Sequence, residues 1–392
     1  MKAERERSGK TNVLLLGIVS FLNDLSSEMI MPILPMFITA LGGGGLVVGL
    51  VGGVRESVSS ILKVLCGYWS DKSGRRKPFV VWGYVSSAVF KFLLAFSRVW
   101  SHVLIFSGLE RVGKGMRTAP RDAIIAESMP AERGKGFGIH RAMDTAGAIA
   151  GSLLVFLLFW FWGMGFKTII LIAAAIALSS LLPLHFVSSR RREPQEITLK
   201  ISLQGLPTGL RSFILVSGVF ALANFSYMFF ILRAQTAFSG KAAIGIPIFL
   251  YVIFNVAYTL LAIPFGILSD RIGRRKVLIM GYLLFALTSL GFSLFRSTVA
   301  FLVLFVLYGM VYAMVEGNQR AFVSDLSPEG LKATALGTFH TVVGIAALPG
   351  SLIAGLLWQR VSPSATFLYG AVLAFLSVLL FASLWGSLER RG

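Results

Sequence analysis

The sequence predicts an all-α membrane protein: twelve transmembrane helices in two pseudo-symmetric six-helix bundles. Three observations predict it. Of 392 residues, 55% are apolar and only 14% charged, against about 25% charged in soluble domains. The apolar residues gather into runs long enough to cross a bilayer. A segment rich in glycine and arginine recurs, at matching places in the two halves of the chain.

A helix needs about 20 apolar residues to span the hydrocarbon core. Such runs fall at 13–38, 46–69, 78–97, 101–126, 137–161 and 166–187, then at 213–235, 244–268, 277–295, 299–323, 333–357 and 364–386. The fourth, fifth and tenth contain charges, yet helix is the element expected there, because open backbone cannot face lipid. The domains expected are 1–187 as the N-terminal bundle, 188–211 as a cytoplasmic linker, and 212–392 as the C-terminal bundle.

The formal net charge of +19 would suggest nucleic acid in a soluble protein. Here the bases cluster between the apolar runs, on alternate loops: Lys72 to Lys77, Arg133 with Lys135, Arg190 to Arg192, and Arg271 to Lys276. The opposite loops hold at most one base each, a positive-inside pattern that puts both termini in the cytoplasm of a multi-pass inner-membrane protein. No nucleic-acid partner is expected. The charged start runs into the first helix without a small-residue cleavage site, so that helix is expected to be the insertion signal. Cys66 is the only cysteine, which excludes an intrachain disulfide and a cysteine metal cage. There is no P-loop and no HExxH metal site. No cofactor or metal is expected, and neither an enzyme nor an ATP-driven pump.

The repeat is explicit. Gly67, Asp71, Gly74, Arg75, Arg76 and Lys77 follow the second helix, and Gly266, Asp270, Gly273, Arg274, Arg275 and Lys276 follow the eighth at the same spacing. Asn23 with Ser26 in the first helix is echoed by Asn224 with Ser226 in the seventh. Together these residues resemble the major facilitator superfamily, over essentially the whole chain. Arg111 with Lys114 and Gly115 looks like an element of proton-coupled members. Gly138, Gly147 and Gly151 match the first part of the antiporter glycine motif, while Ser152, Val155 and Phe156 depart from its continuation. The resemblance implies a bacterial transporter similar to the proton-coupled drug and metabolite antiporters, and it implies that the two repeated loops gate alternating access. Asp71 is expected to bond Arg75 or to cap a neighbouring helix.

Acids and bases inside a bilayer are costly and mark function. Asp24 and Glu28 share one face of the first helix and are the expected proton-coupling pair, with Arg55 and Arg111 as neighbouring cations. A substrate cavity is expected from Asn23, Arg55, Glu56, Glu110, Arg111, Lys114, Arg121 and Asp144 in the first half. Asn224, Arg233, Glu316 and His340 extend it in the second. Tyr227, Phe229, Phe230, Tyr308 and Tyr312 could line an apolar side of it. The function expected is secondary active transport of a small organic solute, as proton-coupled efflux. Uptake of an organic anion, lipid flipping and a non-transporting receptor are the alternatives. The expected partners are a small-molecule substrate, protons and the lipid bilayer, with the protein as a monomer.

Overall fold

The computed structural model describes residues 2–189, 203–328 and 331–389, all helical apart from turns and short connections. Most of the expected linker, residues 190–202, lies outside the described residues. Contacts divide the chain into two compact units, Met1–Gly42 with Val58–Thr198, and Gly43–Ser57 with Leu199–Gly392.

The first unit holds α1 (Lys2–Ile30), α2 (Leu34–Ala40), the later part of α3 (Gly45–Ser73), α4 (Lys77–Leu94), α5 (Trp100–Ser128), α6 (Arg133–Trp160), α7 (Phe166–Ser179) and α8 (Leu181–His185). The first span is α1 continued by α2, broken at residues 31–33. Pro32 and Pro35 straddle the break, and proline has no N–H to continue the ladder. The sixth span, α7 with α8, breaks at Ser180, with Pro183 following.

The second unit holds the start of α3 and α9 (Thr208–Ala223), α10 (Met228–Gln235), α11 (Ala242–Ile272), α12 (Arg274–Leu294), α13 (Thr298–Leu326), α14 (Lys332–Arg360) and α15 (Pro363–Glu389). The seventh span is α9 with α10, broken at residues 224–227. Twelve spans therefore comprise fifteen helices among the described residues.

Ten spans are long and apolar enough to cross a membrane by composition. The other two, α4 and α5, carry charge instead. Their charged side chains are largely sequestered: Lys91 of α4 and Glu110, Arg111 and Arg117 of α5 are all buried. Protein therefore solvates these charges, as charge inside a membrane requires.

In the first unit α1 packs along α6 and α7, and α4 along α5 and α7. Glycine sets the closest approach. A side chain at Gly147 would strike the Phe21 carbonyl, and one at Gly151 the Leu25 carbonyl, so α1 and α6 meet backbone to backbone, as small-xxx-small pairs allow. In the second unit α11 packs along α13, α12 along α13 and α15, and α9 against α14 and α15. Its core is aromatic. Phe220 stacks on Tyr282 at 3.9 Å and Phe230 on Tyr308 at 4.1 Å between ring centroids.

Candidate functional site

The α1–α6 contact places two polar rows face to face. Ser20 and Asp24 lie one turn apart on α1, and His140 and Asp144 one turn apart on α6. Ser20 Oγ meets His140 Nε2 at 2.8 Å, and the Asp24 and Asp144 carboxyls are hydrogen-bonded to each other. An ionised carboxylate only accepts. Both carboxyls therefore attract cations.

Cations from α5 surround this pair. Arg121 donates from Nη1 to Ser20 Oγ at 3.0 Å and from Nη2 to Asp122 Oδ1 at 2.9 Å. Its charge reaches Asp144, while Lys114, Arg117 and Arg121 all act on Asp24. Arg117 packs its guanidinium over the Tyr84 ring at 4.5 Å and donates to the Gly83 carbonyl. Arg141 closes the outer side, pairing with Asp144 at 3.4 Å. Lys114, Arg117 and Arg121 of α5 thus converge on one carboxyl pair. The expected cations, Arg55 and Arg111, do not supply the contacts seen at Asp24. Arg111 pairs with Glu110 at 3.2 Å and donates to Met31 Sδ, and Arg55 belongs to the second unit.

A second layer lies beyond. Lys91 Nζ donates to Ser26 Oγ at 3.0 Å, Ser27 Oγ at 2.8 Å and the Asn23 carbonyl at 3.4 Å. Ser87 Oγ donates to Glu110 Oε1 at 3.0 Å. Asn23 also donates to Asp24 Oδ1 at 3.4 Å. Lys91, His140, Ser20 and Tyr84 were not among the expected site residues. The signal for Lys91 was legible, since it is the one charge inside the third apolar run. Nothing in sequence spacing marks Ser20 or His140 until α1 and α6 are paired.

The remaining expected residues are placed variously. Glu28 is half-buried on α1, one turn beyond Asp24. Arg233 is buried and donates to the Phe292 and Ser293 carbonyls at 2.9 and 3.0 Å and to Ser364 Oγ at 3.2 Å, tying α10 to the end of α12. His340 on α14 packs its ring edge-on against Phe339. Glu316 accepts from Tyr258 Oη at 2.6 Å and pairs with Arg320 at 3.4 Å. Asn224 stands at the α9–α10 break and bonds Tyr312. Glu56, at the start of α3, exerts its charge on Tyr312 too.

The two repeated loops each form a clamp. In the first, Arg76 pairs with Asp71 at 2.8 Å and also with Glu127 at the end of α5. Asp71 was expected to bond Arg75 or to cap a neighbouring helix; its bond goes to Arg76, which stands at the start of α4 and faces both acids while Arg75 is exposed. Burial pulls the Arg76 guanidinium down, but its bonds with Asp71 and Glu127 outweigh that and hold it above the ordinary value. In the second loop the clamp is Arg274, the counterpart of Arg75, which pairs with Asp270 at 3.2 Å and Asp325 at 2.5 Å. Gly74 and Gly273 both have positive φ, 64° and 96°, which glycine adopts without strain. Gly67 packs against Ala119, and Gly266 faces open space. Glu127 and Asp325 were missed. Each stands three residues before a proline, Pro130 and Pro328, and this echo of the repeat could have found them.

Comparison with known proteins agrees with this architecture. The Major Facilitator Superfamily model matches residues 16–248 and 213–391. An uncharacterized MFS-type transporter of Methanocaldococcus jannaschii is 56% identical over 381 residues, covering 96% of each chain. The multidrug resistance protein MdtH of Aeromonas hydrophila is 23% identical, covering 90% of this chain and 89% of that one. The crystal structure of the nucleoside transporter NupG superposes with a TM-score of 0.75 at 16% identity, over 95% of this chain and 99% of that one, a likeness of fold. With a family model matching both halves and a relative alike along nearly its full length, the chain belongs to the Major Facilitator Superfamily of membrane transporters.

Proposed function

We propose that the protein is a proton-coupled secondary transporter that expels a small organic solute by alternating access. The observation that carries this reading is the Asp24–Asp144 carboxyl pair, inside two membrane spans and ringed by Arg121, Lys114 and Arg117. Losing or gaining one proton changes the pair's attraction to those cations. A proton gradient then biases the two access states through that difference. Glu28, one turn along α1, tunes the pair. The moving bodies are the halves 1–187 and 212–392, joined by 188–211. The basic loops put both termini in the cytoplasm, and a monomer in the cell membrane suffices. Export is favoured by the likeness to a multidrug resistance protein.

The test is proton flux in proteoliposomes carrying an internal pH dye, as candidate solutes are added under an imposed pH gradient. Wild type should couple solute movement to proton movement, and Asp24→Asn and Asp144→Asn should each uncouple it while leaving downhill exchange. Full coupling in both variants, or a wild type driven by sodium alone, would sink the reading.

A further inference from the structure

The interior of the second unit carries a face that the proton site does not use. On α13, Tyr308, Tyr312, Glu316 and Arg320 follow one another at steps of four and share a side. On α11, Tyr251, Phe254 and Tyr258 form the facing stripe. The rings interlock: Tyr251–Phe254 at 5.5 Å, Phe254–Tyr312 at 5.2 Å and Tyr258–Tyr312 at 6.1 Å between centroids. Tyr227, from the α9–α10 break, joins through Tyr251 at 5.9 Å.

The stripe runs from full burial at Tyr308 to exposure at Glu316, whose side chain is 44% accessible. Negative charge meets it twice, from Glu316 and from Glu56, both acting on Tyr312. Asn224 adds a further demand. Its amide bonds Tyr312, yet its Oδ1 is buried without a hydrogen-bond partner among the described residues. A buried acceptor in this state calls for a donor.

Aromatic faces attract cations, carboxylates pair with them, and Asn224 Oδ1 asks for an N–H. A carboxylic or phosphate anion meets none of these needs. A neutral aromatic meets only the first, and a quaternary ammonium meets all but the last. Arg320 pairs with Glu316, but the pair is exposed, and exposed pairs contribute only about 0–1 kcal/mol, so an incoming ammonium can displace it.

We propose that this face binds a protonated organic amine carried on an aromatic or apolar body, and that such amines are the transported class. The proposal rests on the transporter reading above and adds the chemistry of its cargo. The exchange of one proton for one such cation moves no net charge, so the concentration gradient of protons alone can drive it.

The probe is a series on one body: 1-naphthylmethylamine, its N-trimethyl form, the matching alcohol, and naphthylacetate. Binding to the purified full-length protein is read by equilibrium dialysis and by thermal shift, since a ligand stabilises by mass action. The amine should bind, the N-trimethyl form roughly threefold to tenfold more weakly, and the alcohol and the anion more weakly still. Glu316→Gln should weaken amine binding by about tenfold. Tyr312→Phe keeps the ring and should retain most of the affinity that Tyr312→Ala loses, and this pair carries the test if Glu316→Gln does not fold.

Equal or tighter binding of the alcohol or naphthylacetate would overturn the proposal. So would no binding by any member, or amine binding indifferent to both Glu316→Gln and Tyr312→Ala. Asp24→Asn separates the two readings. If it binds the amine normally but is uncoupled, both stand. If wild type couples protons to another solute and ignores the amine, only the cargo assignment fails.

Discussion

The two units share a fold and a repeat but fill their interiors with different chemistry. The first keeps Asp24, Lys91, Glu110, Arg117, Arg121 and Asp144 between its helices; the second keeps Phe220, Phe230, Tyr251, Tyr282, Phe285 and Tyr308. The duplicated architecture therefore specifies helix placement without specifying what lies inside. Division of labour follows. Buried charge gathers in the first unit, and ring faces fill the second. Arg233 marks the contrast, since this buried arginine of the second unit is spent largely on backbone carbonyls at a helix end.

That contrast breaks most sharply under single deletions. Arg121→Met removes one partner from a network that leaves other charges behind, and should cost about 3–5 kcal/mol. Phe230→Ala leaves a cavity among Phe225, Phe285, Phe292, Tyr308 and Phe367, with a cost of about 3–5 kcal/mol as well. Thermal unfolding in detergent across pH distinguishes them, for the loss in Arg121→Met should vary with pH and that in Phe230→Ala should not. If both losses are flat with pH, the two interiors do not differ in kind.

Gly147→Ala comes next. The added methyl meets the Phe21 carbonyl, and overpacking of this kind costs about 1–3 kcal/mol. It should also weaken proton coupling by prising Asp144 from Asp24, whereas Gly266→Ala, which meets nothing within 4 Å, should do neither. The smallest effect belongs to the loops. Arg76→Ala should lower stability by up to about 1 kcal/mol and Arg75→Ala by less. Matched thermal shifts of the two variants check the order directly.

How much of this was legible follows from what periodicity carries. Apolar runs and basic loops gave twelve spans because the bilayer imposes length and the cell imposes charge sign. The i, i+4 spacing of Asp24 with Glu28 showed one helical face, but spacing cannot say which helix stands opposite. So Asp24 was not paired with Asp144, Arg121 and Lys114 from sequence alone. Gly147 and Gly151 had the needed information in latent form, since two glycines one turn apart mark where a second backbone approaches. The loop clamp was read one residue out of register, because Arg75 and Arg76 are chemically alike and only the entry angle of α4 decides between them. The breaks behave similarly. Pro32 and Pro35 announce the first, while the one at Asn224 has no proline and depends on tertiary packing.

The backbone contact of α1 with α6 has one more implication. Helices joined through side chains can slide as those side chains change rotamer, but helices joined peptide to peptide have no such slack. Asp24 and Asp144 therefore sit along a seam whose spacing is set by main chain, where a change of side-chain rotamer gives little slack. The spacing of the two acids is thus governed by two glycines rather than by their own side chains.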